Sequence, residues 1–298
     1  MDSVARTERA APVLPPGRRV ELPGRGTTFV RELAGPPGAP TVVLLHGWTV
    51  TADLNWFPSY EALGRHFSVL ALDHRGHGQG LRSRRPFRLE DCADDVAAAV
   101  EATGNADRRL VLVGYSMGGP VAALTWRRHP GLAAGLVLCA TAARFSVDLG
   151  DWIFYSGMFG LSLASRLTPE LVRRPFTTSF IRRRTSGLGG WAAEQVAASS
   201  TTAVLEAGSA LGGFDGRSWL GRIDVPTAVV VTTEDTMVSP HRQRALAGRI
   251  PGATVHPVQG DHVVCVTGAE RFVPVLVEAC LTVAGRERDG RLPRERAQ

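Results

Sequence analysis

The sequence contains no lysine; all 34 basic residues are arginine. A formal charge of +6 and a pI near 9.9 invite a nucleic-acid or anionic-membrane reading. The missing lysine points instead to compositional bias, and part of the excess charge sits in polar terminal stretches. No basic stripe alternates with aromatics, as binding to single strands requires, so nucleic acid is not an expected partner. Cysteine is scarce: Cys92, Cys139, Cys265 and Cys280 lie far apart in apolar segments, with no C-x-x-C among them. Neither a metal site nor a redox pair is expected, and buried free thiols in a reducing compartment are the simplest account. Long apolar runs are also absent, none reaching the roughly 18 residues of a membrane span. Residues 1–19 carry no apolar h-region, so no signal peptide is expected. Together these absences describe a cytoplasmic protein.

What is present suits a large buried core. With 298 residues, 44% of them hydrophobic, the chain accommodates one α/β domain with an insertion, or two small domains. Residues 1–17, rich in Pro and Gly at their end, read as a disordered lead. Arg18–Leu22 and Thr27–Leu33 read as a hairpin. Thr41–Leu45 and Val69–Leu72 are short apolar strands, and Asn55–Phe67 reads as a helix broken near its start by Pro58. Leu89–Thr103 has helical spacing with acids in its first turns, where the helix dipole favours them. Strands are expected again at Leu132–Cys139, Ile223–Thr232 and Thr254–Val258, and helices at His241–Ile250 and Val263–Val283, the last kinked at Pro274. A hairpin followed by alternating strands and helices predicts a mostly parallel sheet with helices on both faces. From 142 to 215 the alternation stops, and Trp, Phe, Leu and Arg dominate helix-like segments. The expected layout is a core of 18–141 and 216–284, a helical insertion over 142–215, and a disordered tail over 285–298.

One stretch organises the rest. Val111-Leu112-Val113 is a strand-like run that meets Gly114-Tyr115-Ser116-Met117-Gly118, the pattern G-x-S-x-G, with a helix-like segment from Met117 to about Arg128. Strand, tight turn and helix are the context in which this pattern exposes a serine hydroxyl at the positive end of a helix. A serine needs a general base, usually histidine, held by a carboxylate. On such a sheet these follow the serine in the order acid, then histidine, on loops at the carboxyl ends of strands. His46 and His74 precede the serine; His66 and His129 read as helix-end residues; His241 opens a helix. His262 sits in the loop after the last strand and is preferred over His256, which lies inside it. For the acid, Glu234 and Asp235 both follow the strand ending at Thr233. Asp235 is preferred, with Glu234 a solvated neighbour and Asp148 an outside alternative. The oxyanion donors expected are the amide of Met117 and, from the His46-Gly47-Trp48 loop, the amide of Trp48.

The motifs HGW at 46–48, DHRGHG at 73–78, GYSMGG at 114–119, TED at 233–235 and GDH at 260–262 resemble those of the α/β-hydrolase superfamily, most closely its small cofactor-independent serine esterases and perhydrolases. The resemblance covers about residues 18 to 284 and implies Ser116 as nucleophile, His262 as base and Asp235 as its orienter. It implies no cofactor, a structural role for the DHRGHG turn, and a cap formed by the insertion. Ser116 excludes the relatives whose nucleophile is Asp. Ester hydrolysis through an acyl-enzyme is the expected activity, on a small-molecule, ester-like, lipophilic substrate. Acyl transfer, thioester, lactone or C–C bond hydrolysis and perhydrolysis use the same triad, and a non-catalytic ligand-binding protein is the remaining alternative. Trp48, Trp152, Tyr155 and Phe159 are the candidate substrate contacts. Arg144, Arg166, Arg173, Arg174 and Arg182 to Arg184 offer a competing clamp for a substrate carboxylate.

Overall fold

A computed structural model describes residues 12–167 and 189–290. Its centre is an eight-stranded sheet in the order β1-β2-β4-β3-β5-β6-β7-β8. The strands are β1 (Gly17–Leu22), β2 (Gly26–Leu33), β3 (Thr41–Leu45), β4 (Ser68–Leu72), β5 (Leu110–Tyr115), β6 (Gly135–Cys139), β7 (Thr227–Thr232) and β8 (Thr254–Val258). β1 and β2 form the antiparallel hairpin, β2 pairs antiparallel with β4, and every pairing from β4 to β8 is parallel.

Side chains alternate between the two faces of the sheet, and both faces of β3, β5 and β6 are covered, so these strands are buried at every position. Val43, Leu45, Leu110, Leu112, Leu136 and Leu138 point into one core, with Val96 and Val121 from helices α3 (Leu89–Ala102) and α4 (Gly118–Arg128). Val42, Leu44, Val111, Val113, Val137 and Cys139 point into the other. That second core takes Trp56 and Leu63 from α1 (Ala52–Trp56) and α2 (Tyr60–Gly64), and Phe272 and Leu276 from α10 (Ala269–Gly290). All four cysteines are buried and free.

Several boundaries differ from the sequence expectation. The break expected at Pro58 separates α1 from α2, and α1 begins at Ala52 rather than Asn55. β6 starts at Gly135 rather than Leu132, and β7 at Thr227 rather than Ile223, directly after Pro226, which has no N–H to give a ladder. After α8 (Pro240–Ala247), the last expected helix is divided at Gly268 into α9 (Val264–Thr267) and α10, so the break lies at the glycine and Pro274 sits inside an unbroken helix. α10 continues to Gly290, past the expected tail boundary at 285; Arg286, Glu287 and Arg288 are good helix formers. Residues 1–11 and 291–298 of the expected disordered ends lie outside the described residues.

Between β6 and β7 the described chain forms α5 (Leu149–Leu167), α6 (Gly189–Ala197), α7 (Thr201–Gly212) and no named strand. Its two ends meet in a bridge between Arg144 and Asp215 and a bond from Gly216 N to Ala143 O of 2.8 Å. α5 packs along α7, burying small residues such as Ser162 and Ser165. Trp152, Ile153, Phe159, Leu161 and Leu163 of α5 stay exposed.

The DHRGHG turn is fixed by buried polar contacts. Asp73 accepts from Ala52 N through Oδ1 and from Gln79 N through Oδ2, both at 2.8 Å. Burial nevertheless pushes its carboxyl up to about 6, against these two bonds. Arg75 donates to Asp95 from Nε at 2.7 Å and from Nη2 at 2.8 Å, and Arg25 meets the same carboxylate. Breaking a buried pair leaves an uncompensated charge, whereas exposed pairs contribute little. Asp95→Ala should therefore destabilise the protein by about 3 kcal/mol in urea unfolding. Glu32→Ala, on the exposed Arg18–Glu32 pair, should change it by less than about 0.5 kcal/mol. Equal effects would contradict this account of the turn.

Candidate active site

The parallel strands end together, and their loops carry the candidate residues: His46 to Trp48 after β3, Ser116 after β5, Asp235 after β7 and His262 after β8. Ser116 is held at φ +50°, a left-handed conformation that costs a non-glycine residue energy and persists only where the surroundings impose it. The surroundings here are backbone. A Cβ on Gly114 would lie 2.2 Å from Gly118 O, and one on Gly118 would lie 2.1 Å from Leu45 O. Both glycines are needed for α4 to start directly against β3 and β5. Ser116 N donates to Cys139 O at 2.9 Å, and Thr141 Oγ1 donates to Ser116 O at 2.8 Å.

The three side chains form a continuous chain of hydrogen bonds. His262 Nδ1 lies 2.7 Å from Asp235 Oδ2, and His262 Nε2 lies 3.0 Å from Ser116 Oγ. The carboxylate fixes the tautomer: Nδ1 carries the proton and donates it, which leaves Nε2 to accept from the serine hydroxyl. Burial acts to raise the Asp235 carboxyl. The bonds from His262, Val238 N and Thr232 Oγ1 outweigh it and hold the group below its ordinary range. Gln243 Nε2 adds a bond to Asp235 Oδ2 at 3.2 Å and one to Thr232 Oγ1 at 2.7 Å. Tyr115 OH donates to His262 O at 2.9 Å and fixes the histidine loop from below.

The other candidates are elsewhere. Glu234 is exposed and accepts from Gln259 at 3.0 Å. Asp148 accepts from Asp151 N at 2.8 Å and caps α5. His256 contacts Thr254 at 3.1 Å, and His129 contacts Asp94 at 3.0 Å. His46 is buried with its Nδ1 2.7 Å from Gly47 O, while Nε2 accepts from His74 N at 2.9 Å. Burial, reinforced by His74 and His77, holds its ring well below the ordinary histidine value, so it stands as a neutral prop for the loop. Gly47 N donates to Asn55 Oδ1 at 2.9 Å. The Trp48 and Met117 amides donate to no partner among the described residues.

Trp152 and Phe159 are exposed on α5, and Tyr155 packs on Gly212, so the hydrogen-bonded chain at Ser116 does not include them. Phe154 meets Trp48 edge-on with centroids 6.2 Å apart. Arg166 is engaged by Glu206 and Arg84 O. Arg173, Arg174, Arg182 to Arg184 and the apolar Leu171, Phe176 and Phe180 lie outside the described residues. No group of three His, Cys, Asp or Glu suited to a metal occurs among the described residues.

A family model described as alpha/beta hydrolase fold matches residues 40–269. A poly(3-hydroxyalkanoate) depolymerase of Ectopseudomonas oleovorans is 26% identical over 275 residues, covering 88% of this chain and 91% of that protein. A pimeloyl-[acyl-carrier protein] methyl ester esterase of Neisseria meningitidis serogroup B is 27% identical over 252 residues, covering 80% and 91%. Among solved structures, the enol-lactonase from Burkholderia xenovorans LB400 superposes with a TM-score of 0.70 at 23% identity, covering 88% of this chain and 99% of that one.

Gly118→Ala should abolish soluble folded protein or lower the melting temperature sharply, because backbone has to move to admit the Cβ. Gly157→Ala, in α5 with nothing within 4 Å of the new Cβ, should instead be neutral or add up to about 1 kcal/mol, since glycine weakens helix interiors. Thermal melts of the two variants decide whether close approach at the Ser116 turn, rather than loss of glycine as such, is what the structure depends on.

Proposed function

The chain belongs to the alpha/beta hydrolase fold family, and on that premise we propose that it hydrolyses carboxylic esters through an acyl-enzyme on Ser116. The observation that carries this reading is the unbroken chain Ser116 Oγ–His262–Asp235, at 3.0 and 2.7 Å. In the proposed reaction Ser116 Oγ attacks the ester carbonyl while His262 Nε2 takes the hydroxyl proton. The oxygen of the tetrahedral intermediate is stabilised by the Trp48 and Met117 amides, which act where charge develops. The intermediate collapses, the alcohol leaves with the proton from His262, and the acyl group stays on Ser116. Water, deprotonated by His262, then attacks the acyl carbon and releases the carboxylate, and the proton returns to Ser116.

The esterase relative from Neisseria meningitidis supports the ester as the bond cleaved. The helices α5 to α7 act in this reading as a cap over the strand ends. The Phe154 ring against Trp48 brings apolar surface from this insertion to the edge of the site. That supports a neutral, lipophilic acyl group, which gains roughly 0.8 kcal/mol per buried CH₂.

Steady-state kinetics on p-nitrophenyl esters from acetate to decanoate test the proposal. Ser116→Ala should remove turnover. Asp235→Asn should lower kcat about a thousandfold or more, because the ring loses the partner that fixes its tautomer, while Glu234→Gln should change it little. Asp235 is held ionised below the ordinary carboxylate range, so the fall of kcat/KM on acidification should come from protonation of the imidazole that must accept the serine proton. A flat acid limb, or a larger loss from Glu234→Gln than from Asp235→Asn, would contradict the assignment.

A further inference from the structure

The residue that offers its amide to the oxyanion also ties the catalytic loop to the helical insertion. Trp48 Nε1 donates to Val204 O of α7 at 2.7 Å. One turn further along α7, a Cβ on Gly208 would lie 2.7 Å from Trp48 Cζ2, so the glycine is where the indole seats. A turn beyond, a Cβ on Gly212 would lie 2.3 Å from Tyr155 Cβ, so α5 is received on the same stripe of α7. Phe154 of α5 meets the indole edge-on. The ring is thus clamped by a hydrogen bond, a close helix face and an aromatic edge, all from the insertion. On the other side the loop is clamped by the core, through His46 on Gly47 O and Asn55 on Gly47 N. Immediately after Trp48 the backbone of Thr49 stands at φ +68°. That conformation is unfavourable for a β-branched residue and persists only where both sides hold it.

We propose that Trp48 is a positioning residue whose indole couples the seating of the helical insertion to the oxyanion-stabilising amide of the same residue. It rests on the acyl-enzyme reading above. The indole acts through its own backbone: α7 sets the ring, the ring sets the turn at 47–49, and the turn aims the N–H. The indole N–H is committed to α7, so the side chain works as a strut between the insertion and the loop. Oxyanion donors are sensitive to placement, and losing one outright costs about a hundredfold or more. Loosening the strut should cost less, about tenfold.

The test uses the full chain and a fluorophosphonate probe, whose phosphoryl oxygen takes the oxyanion's place. Trp48→Phe keeps an aromatic ring and removes the N–H. Gly208→Ala pushes on the indole from the opposite side and serves independently should Trp48→Phe fail to fold. Each should slow the second-order labelling rate about tenfold while the fraction finally labelled and the melting temperature hold. On p-nitrophenyl acetate and hexanoate the loss should appear in kcat, by the same factor for both, with KM little changed. Phenylalanine lacks the indole's second ring, so it leaves room for the Gly208→Ala methyl. The double variant should then be no slower than Trp48→Phe alone.

Additive losses in the double variant would overturn the coupling. So would unchanged labelling rates in both single variants, or a loss confined to KM and growing with acyl length, which would make the ring a pocket wall. A wild-type chain that does not label at Ser116 would overturn the acyl-enzyme reading itself, and this inference with it.

Discussion

The close approach of α4 to β3 and β5 is the constraint on which the site depends. It leaves no room for a Cβ at Gly114 or Gly118, and it holds Ser116 in a backbone conformation that an isolated peptide would avoid. The strain is tolerable because the flanking strands are buried on both faces and cannot yield. A turn built this way presents its side chain in one direction. The serine hydroxyl therefore meets His262, which arrives from a loop 146 residues away in sequence.

The remaining parts of the site are set by what each loop end is bonded to. Asp235 is fixed by backbone donors, Thr232, Gln243 and His262 together, so it acts as an ionised acceptor that orients one tautomer. The histidine loop rests on Tyr115. The 46–48 loop is held by the neutral His46 and by Asn55, and on its outer side by α7. The buried Arg75–Asp95 pair and the carboxyl of Asp73 keep the neighbouring 73–79 turn in place. Electrostatics and packing are therefore divided: the sheet supplies rigidity, and the strand-end loops supply oriented donors and acceptors.

Much of this was legible in the sequence because it rests on local patterns. The G-x-S-x-G turn, the apolar strands before it and the loop position of His262 each lie within a few residues of their own cause. The preference for Asp235 over Glu234 followed from loop context, and the structure brings Asp235 to the ring while Glu234 faces solvent. What was not legible is what long-range contacts decide. Thr141 reaches Ser116 across 25 residues, Tyr115 reaches His262 across 147, and Trp48 reaches Val204 across 156; no periodicity carries that information. The exposure of Trp152 and Phe159 was hidden for a different reason. An apolar helix has no amphipathic stripe to declare its buried face, and α5 turns small residues such as Ser162 and Ser165 inward. The break at Gly268 was likewise not read from the sequence, and α10 runs through Pro274 without interruption.

In the proposed reaction Ser116 is a nucleophile because His262 takes its proton. Mass mapping of the fluorophosphonate adduct tests it most directly, with the wild-type chain and His262→Ala treated side by side. The account predicts a single adduct on the peptide carrying Ser116 in the wild type, and its near-complete loss in His262→Ala. An adduct on another residue, or equal labelling of Ser116 without the histidine, would contradict it.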